Sequence, residues 1–197
     1  MTRAFVAIHI TDAARQAVTA EVERLRRLSP PSKPVVAWVP PPNLHLTLQF
    51  LGEQPDPRLA EAEAALEEAV AGVPPFEIAL HGLGAFPGLE RPRILWVGVA
   101  GGAMEARGLQ ARVASALAAR SFPPDERPWH PHLTIGRVFD ERRWRRDSGS
   151  VLAEQIRRLG SAAFGSVPVG AIALMRSDLH PSGARYSQLR GFPLGRQ

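Results

Sequence analysis

A four-residue pattern, His-Leu-Thr-aliphatic, occurs twice in this chain, as His45-Leu46-Thr47-Leu48 and as His132-Leu133-Thr134-Ile135. Side chains alternate between the two faces of a strand, so each copy reads as a strand with an imidazole and a hydroxyl on one side and aliphatic groups on the other. Each copy follows prolines, Pro40-Pro41-Pro42 in the first case and Pro131 in the second. The aliphatic faces demand burial, and two helices and two strands are predicted between the copies. No period of about 20–50 residues recurs, which argues against a solenoid. The duplication therefore predicts two related α+β lobes.

The remaining elements follow from periodicity and punctuation. Phe5–Ile10 is predicted as a strand, and Thr11 and Asp12 cap a helix running to Leu28, with Val18, Val22, Leu25 and Leu28 on one side. Ser29–Pro42 is a proline-rich lead-in to the strand Leu44–Leu51, which Gly52 ends. Pro57–Ala71 is predicted as a helix, Phe76–His81 and Ile94–Ala100 as strands, and Gly82–Arg93 as the loop joining them. Met104–Ala119 reads as a helix and His132–Phe139 as a strand. Asp140–Ser150 carries Arg142, Arg143, Arg145 and Arg146 around Trp144 without clear periodicity, and is expected to be an exposed loop. Leu152–Leu159 is a short helix; Val167–Asp178 and Ala184–Phe192 are closing strands joined by a turn at Pro181-Ser182-Gly183.

Composition narrows the chemistry. The 197 residues are 45% hydrophobic, enough for a substantial core. There is no cysteine, which excludes disulfides, thiolate metal sites and a cysteine nucleophile. Phe5–Ile10 is too short for a membrane span, so a soluble, cytoplasmic protein without a membrane partner is expected. The net charge is +5, and Lys33 is the only lysine. Arginine forks suit a phosphate-bearing partner, although genome base composition produces the same bias.

If the two motif strands face each other across a cleft, two imidazoles and two hydroxyls converge. Paired histidines suit in-line displacement at phosphorus, one taking a proton from the nucleophile and one giving a proton to the leaving oxygen. Each such contribution is typically about 10²–10⁴-fold. Thr47 and Thr134 can donate hydrogen bonds to non-bridging phosphate oxygens. This design needs no cofactor. A single His-x-Thr is commonly just a polar strand face; its recurrence in the same hydrophobic frame favours function. His130-Pro131-His132 lacks a carboxylate or further histidine at ligand-like local spacing, so no metal is expected. His9 is placed beside the groove, His81 and His180 at loops or strand ends, and Gln49 is assigned nothing. Trp129 is expected to pack beside the second motif; it and Trp144 are also candidates for stacking on a nucleobase.

Several blocks carry a wider resemblance: Phe5-Val6-Ala7-Ile8; Trp38-Val39-Pro40 leading into Asn43-Leu44-His45-Leu46-Thr47-Leu48 and Phe50-Leu51-Gly52; Gly82-Leu83-Gly84-Ala85-Phe86-Pro87 with Arg91-Pro92-Arg93-Ile94-Leu95-Trp96; Pro131 to Arg137; Arg176-Ser177 and Gly183-Ala184-Arg185-Tyr186. In this order they resemble the RNA 2′,3′-cyclic phosphodiesterases of the 2H phosphoesterase superfamily, also called 2′-5′ RNA ligases. The resemblance covers nearly the whole chain. It implies one α+β domain over residues 1–197, bilobal and pseudo-symmetric, with two mainly antiparallel sheets lining a central groove and helices outside. Each lobe contributes one His-x-Thr motif.

The resemblance further implies hydrolysis of an RNA 2′,3′-cyclic phosphate end to a 2′-phosphomonoester, with weak ATP-independent 2′-5′ ligation. His132 would be general base on water and His45 general acid on the 3′ oxygen; the symmetry of the motifs permits the reverse. Arg137 would bind phosphate and Phe50 would stack on a base. Each lies five residues after its histidine, so an ideal strand turns it to the wrong face, and a bulge or twist must restore it. Otherwise Arg137 is a surface cation and Phe50 is core. A monomer suffices. Two alternatives stay open: the same chemistry on another cyclic phosphate or a 2′-5′-linked oligonucleotide, and a non-catalytic RNA-binding module.

Overall fold

The computed structural model describes residues 1–28, 34–125, 127–146, 149–180 and 183–195. The expected segments Ser29–Lys33 and the turn residues Pro181 and Ser182 lie outside them. The chain runs β1 (Thr2–His9), α1 (Asp12–Arg27), β2 (Val36–Trp38), a 3₁₀ turn (Pro41–Asn43), β3 (His45–Gln54), α2 (Asp56–Val70), β4 (Phe76–Phe86) and β5 (Ile94–Val99). It continues with α3 (Ala103–Ala118), β6 (His132–Val138), α4 (Glu141–Arg146), α5 (Gly149–Arg158), β7 (Ala163–Val169), β8 (Ala171–Asp178) and β9 (Arg185–Pro193).

The α+β expectation holds, and its two sheets meet as halves of one. The strand order is β7-β4-β5-β6-β3-β1-β8-β9, with β2 also on β6, and the ladders among the described residues are antiparallel. The halves join at the centre through a single residue pair, Leu46 opposite Leu133. Both leucines are fully buried, and one core runs from the aliphatic face of the strands into α1, α2 and α3. Thr11 caps α1 as its sequence demands: its Oγ1 accepts from the Ala14 amide at 3.2 Å, satisfying a first-turn donor. Val18, Val22 and Leu25 are buried behind it, whereas Leu28, expected on the same side, is 41% exposed just past the helix end.

Four expectations are corrected. Val167–Asp178 is not one strand. It breaks at Gly170, and β7 pairs with β4 at one edge of the sheet while β8 pairs with β1 and β9 near the other. Gly82–Phe86 is not loop but the second half of β4, paired with β5. Gly82 (φ +74°) allows this by an irregularity in the ladder; a Cβ there would come within 2.5 Å of the Gly160 carbonyl oxygen. Asp140–Arg146 is not an exposed loop either. Asp140 accepts from the Arg143 amide, α4 follows, and Trp144 is buried with its Nε1 donating to Leu89 O at 2.9 Å. Trp144 is therefore not available to a nucleobase. Finally, β2 forms within the proline-rich stretch, pairing Trp38 with Gly136.

Candidate active site

The pair Leu46–Leu133 determines how the two motifs meet. Around it the antiparallel register sets His45 opposite Thr134 and Thr47 opposite His132. Strand alternation sends all four side chains to the face opposite the buried Leu46 and Leu133, so the two imidazoles lie diagonally across that pair. The structure thus brings both candidate histidines and both threonines onto one strip of sheet.

The two copies share more than their side-chain types. In His45–Phe50 and in His132–Arg137 burial runs identically: partly buried, buried, partly buried, buried, buried, exposed. The two consecutive buried residues mark a bulge. In β3, Ala7 pairs with Thr47 and Val6 with Gln49, leaving Leu48 as the additional residue. In β6, Trp96 pairs with Thr134 and Leu95 with Gly136, leaving Ile135 additional. An extra residue inverts the alternation beyond it. Phe50 and Arg137 are thereby returned to the face that carries the histidines. Phe50 is 53% exposed and its ring lies 6.1 Å from that of Phe5 on the same face. Phe50 is not core. The charge of Arg137 acts on both imidazoles.

Each imidazole is held by the backbone two residues upstream. His45 Nδ1 donates to Asn43 O at 2.8 Å, and His132 Nδ1 donates to His130 O at 2.7 Å. A carbonyl only accepts, so Nδ1 carries the proton in both rings and Nε2 is left as the working nitrogen. His45 Nε2 accepts from Thr47 Oγ1 at 3.0 Å when the ring is neutral. Burial lowers the His45 pKa from the ordinary 6.5 to about 4; the positive charges of His9 and Arg137 add to this, and the Asn43 carbonyl opposes it. Burial lowers His132 too, with His130 and Arg137 contributing and the His130 carbonyl opposing.

The surroundings include groups that motif reasoning missed. Phe5 stacks on His45 at 4.8 Å between centroids, and Tyr186 meets it edge-on at 5.3 Å. Asn43, whose carbonyl orients His45, is tied to the C-terminal strands by Nδ2 donating to Ala184 O at 2.7 Å. Phe86 meets His132 edge-on at 5.1 Å. The strand parity of Phe5, paired with Phe50, was the available signal, but it required the pairing partner. His9 borders the groove as expected, opposite His45 in β1 and 3.0 Å from Gln188 Oε1. Trp129 packs by the motifs through Nε1 donating to Thr47 O at 3.0 Å. His81 lies inside β4 rather than at a loop or strand end, and with His130 it lines a cleft next to His132. His180 follows β8. Gln49 is buried and donates to Pro123 O. No group of three or more His, Asp or Glu among the described residues is arranged to hold a metal ion. No helix among them is long and apolar enough to cross a membrane.

A strip with two orientable imidazoles, two hydroxyls and a guanidinium can hold a small anion and move protons on either side of it. Residues 13–181 match the family model of the 2′-5′ RNA ligase superfamily. The chain is 38% identical over 149 residues to an RNA 2′,3′-cyclic phosphodiesterase of Aeropyrum pernix, spanning 75% of this chain and 80% of that one. It is 36% identical over 194 residues to a protein of the same name from Archaeoglobus fulgidus, spanning 96% and 99%. The crystal structure of TT0787 of Thermus thermophilus superposes with a TM-score of 0.74 at 30% identity, covering 99% of both chains.

Proposed function

The chain belongs to the 2′-5′ RNA ligase superfamily, and from that premise we propose that it hydrolyses the 2′,3′-cyclic phosphate at an RNA 3′ end to a 2′-phosphomonoester. The observation that carries the reading is the Leu46–Leu133 pair, which sets His45 and His132 diagonally across one strip with each Nδ1 fixed on a carbonyl and each Nε2 left to work. The phosphorus sits between the rings. His132 Nε2 takes a proton from water as its oxygen bonds to phosphorus. The P–O3′ bond breaks, and His45 Nε2–H gives its proton to O3′. Thr47 and Thr134 hydrogen-bond the non-bridging oxygens, Arg137 holds their charge, and Phe50 stacks on a base.

In this reading residues 1–197 form one unit of two lobes, each giving one motif. It works as a monomer in the cytoplasm, on RNA. The rings' roles follow the family resemblance; the site itself is nearly symmetric. No step calls on a metal ion.

A short RNA ending in a 2′,3′-cyclic phosphate tests the proposal. Phosphorus NMR should show the phosphate on the 2′ oxygen, at an unchanged rate in excess chelator. A 3′-phosphate product would contradict the assignment of the leaving group, and turnover confined to other cyclic phosphates would replace the substrate.

A further inference from the structure

Positive charge is concentrated between Arg137 and Arg146, and the catalytic reading uses only the first residue of that run. The run holds five arginines against two acids, Asp140 and Glu141, and so carries +3 of the net +5 of the chain. Both acids are engaged. Asp140 Oδ2 lies 3.3 Å from Arg143 Nε, and Glu141 Oε1 lies 3.5 Å from Arg91 Nε on the loop between β4 and β5. Arg142 and Arg145 are exposed and meet no carboxylate among the described residues.

The helix α4 presents these two rigidly. Trp144 is 2% exposed and its Nε1 donates to Leu89 O, which pins α4 to the same loop. At about 100° per residue, Arg142 is turned about 160° from Trp144 and Arg145 about 100°, so burying the indole sends both guanidinium groups outward. Residues three apart are neighbours on a helix surface, and like charges so placed weaken a helix rather than support it. The fold therefore gives no reason for the pair. The face also stands beside the site. Phe50 and Arg137 each lie four residues past the central pair Leu46–Leu133, in antiparallel strands, and so mark opposite ends of the catalytic strip. With the base drawn to Phe50, the Arg137 end is left for the strand that leads away. The five residue steps from Arg137 to Arg142 span at most about 18 Å. At about 3.4 Å per stacked nucleotide, that reaches a phosphate about five nucleotides from the cyclic end.

We propose that the Arg142–Arg145 face of α4 is an exosite for the body of the RNA, binding backbone phosphates about five nucleotides upstream of the cyclic end whatever their sequence. The inference rests on the hydrolytic reading above. An arginine fork matches the oxygens of a phosphodiester, and contacts of this kind position a strand without reading its bases. The strip of histidines, threonines and Arg137 holds one terminal phosphate and treats short and long chains alike. The exosite separates them, favouring polymers over free cyclic nucleotides.

The test compares a dinucleotide and a decanucleotide, both ending in a 2′,3′-cyclic phosphate, over about 0.05–0.3 M salt. In the wild type, kcat/KM for the decanucleotide should be the higher at low salt. Its log–log salt dependence should be steeper by about 1.4, since each single-strand phosphate neutralised contributes about 0.7. Arg142→Gln/Arg145→Gln should lower the decanucleotide value about tenfold at low salt, abolish the extra slope and leave the dinucleotide within about twofold. Arg142→Lys/Arg145→Lys should keep most of the slope, because the slope reads charge and not packing. Equal slopes for the two RNAs in the wild type would overturn the proposal. So would a glutamine variant of unchanged circular dichroism that loses both substrates in step, which would put these arginines in the catalytic strip. A glutamine variant that keeps the slope but no longer adheres to phosphatidylglycerol vesicles would make α4 a membrane contact and overturn it as well. Failure of the wild type to open either RNA would instead remove the hydrolytic reading, and fluorescence titration with the same two RNAs then reads the exosite alone.

Discussion

The clearest quantitative consequence of the site concerns pH. The active form needs one imidazole neutral and the other charged, so the apex of the bell-shaped profile lies midway between their two pKa values, whichever ring is acid. In the free protein burial holds both below 6.5, His45 at about 4. The apex of kcat/KM, which reports the free enzyme, should therefore lie below pH 6.5. The complex differs because the bound phosphodiester carries a negative charge. A unit charge about 5 Å from an imidazolium at an effective dielectric of about 20 is worth about 3 kcal/mol, or roughly two pH units. His45 should then titrate well above its free value in the complex, because the bound negative charge favours the imidazolium. The kcat apex should move up accordingly, toward neutrality. Initial rates on a short cyclic-phosphate RNA between about pH 4 and about pH 9, with histidine Cε1–H shifts followed by NMR in the free protein, measure both. A kcat/KM apex at or above neutrality, or an apex that does not move between kcat/KM and kcat, would refute this account of the electrostatics.

The other predictions are simpler. His45→Ala and His132→Ala should each lower kcat by about 10²–10⁴-fold with unchanged circular dichroism, and a folded double variant that keeps strong activity would falsify the catalytic assignment. Arg137→Gln should raise KM for the cyclic end about tenfold, the scale of a lost charge-assisted hydrogen bond, and should raise both histidine pKa values, because its charge depresses them. Gly136→Ala should destabilise the fold by about 1–3 kcal/mol in urea titrations, since a Cβ there would meet Val36 at 2.7 Å and Trp38 at 3.1 Å. Stability should also fall on acidification from pH 6.5 toward pH 4. The unfolded chain binds a proton at His45 that the folded chain refuses over that window, a difference of about 3 kcal/mol. A flat urea midpoint across the window would contradict it.

Much of the site was legible because strand alternation is local. His45, Thr47, His132 and Thr134 announce a shared face without any knowledge of partners, and Thr11 announces a helix start. What was not legible depended on pairing. Leu48-Gln49 and Ile135-Gly136 give no sign that one residue of each is extra, yet that insertion decides where Phe50 and Arg137 point. Val167–Asp178 reads as a continuous apolar run, and the one glycine that divides it, Gly170, sends its halves to opposite regions of the sheet. Trp144 was hidden by its neighbours: four arginines imply solvent, but the indole is buried and its donor satisfied by a distant carbonyl.

The passage at Gly170 bears on when the molecule comes to exist as such. The half of the sheet that carries His45 starts with β1, which leaves the ribosome before any strand of the other half, and is finished by β8 and β9, which leave after all of them. The intervening β4 and β7 belong to the other half. The His45 half is thus not a contiguous stretch of chain, so it cannot assemble by itself during synthesis, and closure must wait on contacts of high sequence separation. A nascent chain stalled before β8 would hold both histidines without Phe5 covered, Asn43 anchored or Tyr186 in place. Competence arrives late and all at once, when the two strands beyond Gly170 have been made and find β1 waiting for them.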